Sequence, residues 1–230
     1  MYIWLEQMIK SEYTLEKTFK RNRDSEVFLM SNKLNGRKVV VRKYSGNCDV
    51  YKCLKGISHN NLPIVYEAVS DGEKSIVLEE YIEGMTVGEV LETGHYTDGG
   101  VEEVIRQVVR GLDVLHCNNI VHRDIKPENI MVDKNGVVRL IDYNISRVYE
   151  LKGGKDTKVL GTAGFAAPEQ YGISQTDPRT DIYALGILIN VMLTGEHPAK
   201  KLCEGRWKRI VNKCTRINPD DRYQNVRDIL

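Results

Sequence analysis

The spacing of apolar residues changes once along this chain, near Gly84, and that change limits the fold more than any other feature of the sequence. From Glu26 to Tyr81 the apolar residues fall in short strand-like runs: Val27 to Met30, Val39 to Val41 after an Asn35-Gly36 turn, and Ser75 to Leu78. One helical spacing interrupts them, through Tyr51, Leu54, Lys55 and Ile57. It ends at His59-Asn60-Asn61-Leu62-Pro63, where proline cannot continue a helix. Beyond Gly84 the period becomes that of a helix. Val101, Val104, Ile105, Val108, Val109, Leu112 and Leu115 trace one apolar face, and Asp181 to Leu193 reads as a nearly all-apolar buried helix. The expectation is an α+β protein, with a smaller, mainly β part over residues 1–82 and a larger, mainly α part over residues 83–230.

A single hairpin breaks the helical part. Ile130-Met131-Val132 and Val137-Val138-Arg139-Leu140-Ile141 flank an Asn135-Gly136 turn, which leaves polar loops at the hairpin's open end. Whole-chain charge gives those loops little help in choosing a macromolecular partner. Lys plus Arg number 33 against 32 for Asp plus Glu, a net charge of +1, so no broad field favours nucleic acid or an anionic membrane. The longest mostly apolar stretch, around Leu185 to Leu193, is too short to span a bilayer, and Met1 to Lys10 lacks the pattern of a secretory signal. The five cysteines, Cys48, Cys53, Cys117, Cys203 and Cys214, are odd in number and form no C-x-x-C pair. That pattern argues against a disulfide framework or a structural zinc site and fits ordinary thiols in a reducing cytoplasm.

The chemistry gathers around the hairpin. His122-Arg123-Asp124-Ile125-Lys126-Pro127-Glu128-Asn129 precedes it and Asp142 follows its second strand; Gly161-Thr162, Ala167-Pro168-Glu169 and Asp181-Ile182-Tyr183-Ala184-Leu185-Gly186 come later in order. In this order and spacing the chain resembles eukaryotic-like serine/threonine protein kinases. The wording of Glu79-Glu80-Tyr81-Ile82-Glu83-Gly84 and Ala167-Pro168-Glu169-Gln170-Tyr171-Gly172 looks most like the compact bacterial type, and the resemblance covers about residues 11 to 230. It implies a bilobal kinase fold, with ATP and Mg2+ as cofactors and a protein carrying a Ser or Thr acceptor as substrate. By the same resemblance Asp124 orients the acceptor hydroxyl and takes its proton, Lys126 steadies the transferred phosphoryl group, and Asn129 and Asp142 hold the metal through hard oxygens. Arg42, Lys43, Glu80, Ile82 and Asp142 form the expected nucleotide-binding set. Asp181 matches an acid that braces the catalytic loop, and Glu169 with Arg222 matches a buried structural ion pair. Thr157, ahead of Ala167-Pro168-Glu169, is the expected site of activating phosphorylation.

Four departures concern the nucleotide. No glycine-rich turn precedes Val27; Lys20 to Glu26 stands in its place, and Lys17, Lys20, Arg21 and Arg23 either meet phosphates as charges or line a solvated turn. Arg42 falls where the family has a strand lysine. Because neighbours on a strand alternate faces, Arg42 shares its face with Val40 and turns Lys43 away, whereas the opposite register brings in Val41 and Lys43. The partner glutamate of that lysine aligns with Val50, leaving Asp49 one position off, so Glu79 either replaces the missing acid or is solvated. Asp142-Tyr143-Asn144 replaces Asp-Phe-Gly, with Asn tolerating a positive φ in glycine's place. These departures keep open a kinase fold that serves as a binding or scaffolding module, and a phosphotransferase for small molecules is a third reading. Met1, Leu5, Met8 and Ile9 lie at helical spacing, suited to packing within the chain or on a partner. The sequence specifies neither the protein substrate nor the oligomeric state.

Overall fold

The computed structural model describes residues 1–149, 161–172 and 175–230. The chain packs into two compact units, one of Met1–His59 with Pro63–Ile82 and one of Asn60–Leu62 with Glu83–Leu230. The first contains, in order, α1 (Tyr2–Glu12), β1 (Tyr13–Arg21), β2 (Ser25–Asn32), β3 (Lys38–Ser45), α2 (Asp49–Leu54), β4 (Val65–Ser70) and β5 (Lys74–Glu80). Its five strands pair antiparallel in the order β1-β2-β3-β5-β4. The turn between β2 and β3 follows the Asn35-Gly36 signal. Gly36 takes φ +70°, a conformation costly for a side chain, and its N–H bonds Asn32 O at 2.8 Å.

The apolar spacing at the N-terminus resolves into packing within the chain. Leu5 and Ile9 of α1 are buried against Phe28, Val39, Val41, Ile76 and Leu78 of the sheet, while Met1 stays exposed. Lys33 fastens the far end of the helix, with its N–H on Glu12 O at 2.8 Å and its ammonium on Ser11 O at 2.6 Å. Since Val39 and Val41 face α1, the pleat of β3 turns Val40 and Arg42 to the other side of the sheet. Helix α2 is shorter than its apolar spacing suggests and buries Val50, Tyr51 and Leu54. Strand β1 is one of the two edges, exposed along nearly its whole length and bulged against β2 at two places.

The second unit contains β6 (Gly84–Thr86), α3 (Val87–Leu91), α4 (Asp98–Cys117), β7 (Ile120–Val121), β8 (Ile130–Asp133), β9 (Val138–Leu140), β10 (Arg147–Val148), α5 (Pro178–Thr194) and α6 (Gly205–Cys214). The predicted hairpin is β8 and β9, in the register Ile130↔Leu140 and Val132↔Val138. Helix α4 lays Val101, Ile105, Val108, Leu112 and Leu115 into the core, as its spacing requires. Helix α5 starts with Asp177 as N-cap and Pro178 in the first turn, and stops at Gly195 in the left-handed conformation. Gly186 lets it approach α6, because a Cβ there would lie 2.5 Å from Cys214 Cβ. Asn61 belongs to this unit: its Nδ2 donates to Val138 O at 2.8 Å and Gln107 Oε1 at 3.1 Å. All five thiols are free, with Cys48, Cys203 and Cys214 buried and Cys53 and Cys117 exposed. Among the described residues no helix is long and apolar enough to cross a membrane.

Candidate active site

The loop from β7 to β8 is held from beneath by α5. Asp181 is fully buried, and its carboxylate accepts the backbone N–H groups of His122 at 2.9 Å and Arg123 at 2.8 Å. His116 Nε2, from the last turn of α4, lies 2.9 Å from the same carboxylate. Burial alone would raise the Asp181 carboxyl, but the His116 hydrogen bond, the neighbouring imidazoles and the Arg123 amide outweigh it and hold it below its ordinary value. These bonds fix Arg123 at φ +69°, an uncommon conformation for a residue with a side chain. Gln170 adds a bond from its Nε2 to Arg123 O at 2.8 Å. The Arg123 side chain is buried, with Nε donating to Thr176 Oγ1 at 2.7 Å.

Three predicted catalytic residues meet on that loop, and a fourth group joins them. Lys126 Nζ lies 2.9 Å from Asp124 Oδ2, and Asn129 Nδ2 donates to Asp124 Oδ2 and to Asp124 O, both at 2.8 Å. Thr162 Oγ1 donates to Asp124 Oδ1 at 2.6 Å and accepts from Lys126 Nζ at 2.7 Å. Burial pushes the Asp124 carboxyl up, yet the donors Thr162, Lys126 and Asn129 together with the ammonium charge pull it below the usual carboxylate range. Asp124 is therefore an ionised acceptor at neutral pH, aimed by three side chains. In the sequence Thr162 stands only within Gly161-Thr162, one of the stretches that carry the resemblance; no local signal reveals a bond to a residue 38 positions away. His116 is likewise absent from the sequence reading.

Asp142 is brought beside this group by the backbone, since Ile141 N–H bonds Asn129 O at 3.0 Å. Positive φ falls on Asp142 itself, at +67°, and not on Asn144, so the missing glycine costs no backbone strain. Tyr143 fills a buried position and its hydroxyl finds the partner it needs, Leu140 O at 2.7 Å. Its ring packs on His122 with centroids 5.2 Å apart. Burial holds the His122 imidazole below its ordinary pKa, hence neutral. Because both N–H groups of Asn129 serve Asp124, its carboxamide oxygen is left for another partner. Among the described residues no cluster of three or more His, Cys, Asp and Glu is arranged to hold a metal alone. Magnesium commonly binds through one or two carboxylates plus substrate phosphates, so Asp142 with Asn129 is a donor set that fits it.

The first unit separates Arg42 from Lys43. Arg42 Nε donates to Glu79 Oε1 at 2.5 Å, with both side chains buried, which settles the two alternatives for Glu79 in favour of pairing. Lys43 lies on the opposite face, 2.8 Å from Glu6 Oε1 of α1, so the two basic neighbours do not converge. Val50 is buried, and Asp49 is exposed beside Lys52 at 3.4 Å, so α2 supplies no acid to Arg42. Glu80 ends β5 with its N–H on Ile64 O at 2.8 Å and its carboxylate on Ile64 N–H at 3.1 Å; Ile82 is buried just beyond. Lys17, Lys20, Arg21 and Arg23 are all exposed, Arg21 pairing with Glu26 at 2.8 Å. Thr157 lies outside the described residues.

Glu169 and Arg222 form the expected buried pair, at 2.7 and 2.9 Å through two parallel bonds. Arg222 also donates to the carbonyls of Arg216, Arg179 and Ile217, and Thr180 donates to Glu169 at 2.9 Å. The pair is thus fully embedded in hydrogen bonds.

Comparison with known proteins agrees with this geometry. The family described as Protein kinase domain matches residues 23–229, so α1 and β1 precede the match. Serine/threonine-protein kinase PknL of Mycobacterium tuberculosis is 38% identical over 144 residues, covering 62% of this chain and 36% of that protein. A probable serine/threonine-protein kinase of Clostridium acetobutylicum is 29% identical over 199 residues, covering 76% of this chain and 30% of the relative. Serine/threonine-protein kinase PknB of Mycolicibacterium smegmatis is 32% identical over 154 residues, 62% of this chain and 24% of that protein. The chain thus spans between about a quarter and about a third of the curated relatives it matches. With the family match running over nearly its whole length, the chain belongs to the protein kinase domain family.

Proposed function

We propose that this chain is an ATP-dependent protein kinase that phosphorylates Ser and Thr hydroxyls of protein substrates in the cytoplasm. The observation that carries the reading is the ionised Asp124, held by Lys126, Asn129 and Thr162. Phosphoryl transfer needs positioning and charge neutralisation more than covalent help, and these residues supply both. Asp124 orients the acceptor hydroxyl and takes its proton, while Lys126 balances charge on the transferred group. Asn129 and Asp142 are the residues that hold magnesium, by carboxamide and carboxylate oxygen. Arg42 serves the nucleotide phosphates, and Glu80 and Ile82 the base. ATP with Mg2+, when bound, supplies the transferable phosphoryl group and neutralises the charge around it. In this reading residues 1–82 carry nucleotide binding and residues 83–230 carry catalysis.

Asp124→Asn tests the assignment. It removes the proton acceptor but keeps the size of the side chain, so phosphorylation of a protein acceptor falls by roughly 10² to 10⁴. The melting temperature stays near that of the parent. Retained activity would remove Asp124 from the reaction and the proposal with it.

A further inference from the structure

Arg42 and Glu79 occupy neighbouring strands of one sheet. The register pairs Val40 with Glu79 and Arg42 with Val77, so the two side chains are diagonal neighbours on one face. Both are nearly dry, at 8% and 3% side-chain exposure, and the bond runs from Nε at 2.5 Å. A bond at Nε fixes the plane of the guanidinium, because Nε lies within that plane and next to the last rotatable bond. A buried guanidinium without an anion is costly, so the acid also keeps Arg42 in place when no phosphate is near. Helix α2 takes no part. Its Val50 is apolar and buried, and Asp49 points to solvent. Glu6 of α1 holds the other basic neighbour, Lys43, on the far face.

We propose that Glu79 is the positioning residue of the phosphate-binding cation: it sets the Arg42 guanidinium from within the sheet, independently of helix α2. The inference rests on the reading of Arg42 as a phosphate ligand. Its consequence is a clamp assembled by strand register, which persists whether or not α2 shifts. In a protein with a helix-borne acid, movement of that helix makes and breaks the pair; here strand β5 would have to slide.

The experiment is a calorimetric titration of the full chain with ATP and Mg2+, run on the parent, Arg42→Ala, Glu79→Gln, the double variant and Asp49→Ala, with kcat and KM for ATP measured alongside. Glu79→Gln is expected to weaken ATP by about 10-fold or more, the scale of an oriented charge-assisted bond. That loss appears in KM, with kcat at saturating ATP within about threefold of the parent. In the Arg42→Ala background Glu79→Gln adds nothing, because it acts through Arg42. Asp49→Ala binds ATP as the parent does. If Glu79→Gln melts too low to titrate, Glu79→Asp keeps the charge and shortens the reach; it is expected to hold the fold and still weaken ATP. Parent-like or tighter binding by these Glu79 variants, additive losses in the double variant, or an Asp49→Ala loss equal to that of Glu79→Gln overturns the inference while the kinase reading stands. An Arg42→Ala variant that binds ATP normally removes the phosphate role of Arg42, and the inference falls with it.

Discussion

Replacing Thr162 by Val removes one hydroxyl and leaves nearly the same shape. The hydroxyl donates to Asp124 at 2.6 Å and accepts from Lys126 at 2.7 Å, so the variant takes one of three side-chain donors from the carboxylate. The Asp124 side chain is 13% exposed, too little for water to substitute fully for the lost donor. A hydrogen bond to a charged group contributes about 1.5 to 3 kcal/mol, which corresponds to a loss of roughly 10- to 150-fold in kcat/KM. The sign of the accompanying pH effect follows from the same balance. Burial raises the Asp124 carboxyl and its donors lower it, so deleting a donor moves the pKa upward and carries the acid limb of the rate profile to higher pH. The assay is kcat/KM for ATP with a protein acceptor across the acid range, with Thr162→Ser as the variant that restores the hydroxyl. A Val variant within twofold of the parent with an unmoved acid limb, or a Ser variant as impaired as Val, would refute the reasoning.

Arg222→Ala strands the Glu169 carboxylate in the interior and is expected to cost about 3 to 5 kcal/mol in denaturant unfolding, whereas replacing both partners by Met recovers most of it. Asp142→Asn removes a charged oxygen and should weaken the magnesium dependence of nucleotide binding; an unchanged Mg2+ titration would take Asp142 out of the metal site. His122, neutral in the fold, binds its proton more readily when unfolded, so stability falls as the pH drops below about 6.5, the ordinary imidazole value. His122→Phe should flatten that decline between pH 7 and 5 in thermal melts, and an unaltered slope would assign it to other groups.

The parts legible in the sequence are those where short-range signals suffice. The β8–β9 hairpin follows from alternation around Asn135-Gly136, and α4 and the body of α5 from their apolar residues; the capped first turn of α5, from Pro178, lies ahead of the apolar run that starts at Asp181. Strand β1 escapes such a reading because an exposed edge strand has no buried face to impose a pattern. The ends of α2 escape it too, since the apolar spacing runs on to Ile57 after the helix has stopped at Leu54. In the site, order and spacing point to Asp124, Lys126, Asn129 and Asp142, whose neighbours lie close in the chain. The bond from Thr162 to Asp124, 38 residues away, has no local signal, and Glu79 stays open between pairing and solvation until the register sets it diagonal to Arg42, 37 residues away. The expected positive φ at Asn144 fell instead on Asp142, because the bend that aims the carboxylate is made at the carboxylate's own residue.

The scattered thiols give the chain a built-in reporter of which half opens first. Cys48 lies buried in the first unit, and Cys203 and Cys214 lie buried in the second, whereas Cys53 and Cys117 are open to solvent. Burial pushes the Cys214 thiol up to about 12, so almost no reactive thiolate exists there until its surroundings loosen. An alkylating reagent applied to the native protein should therefore mark Cys53 and Cys117 first. The order in which Cys48 and then Cys214, or the reverse, become modified under mild denaturant reads out the opening of the sheet and of the helical core separately. The same measurement repeated with ATP and Mg2+ reports which of the two the nucleotide steadies.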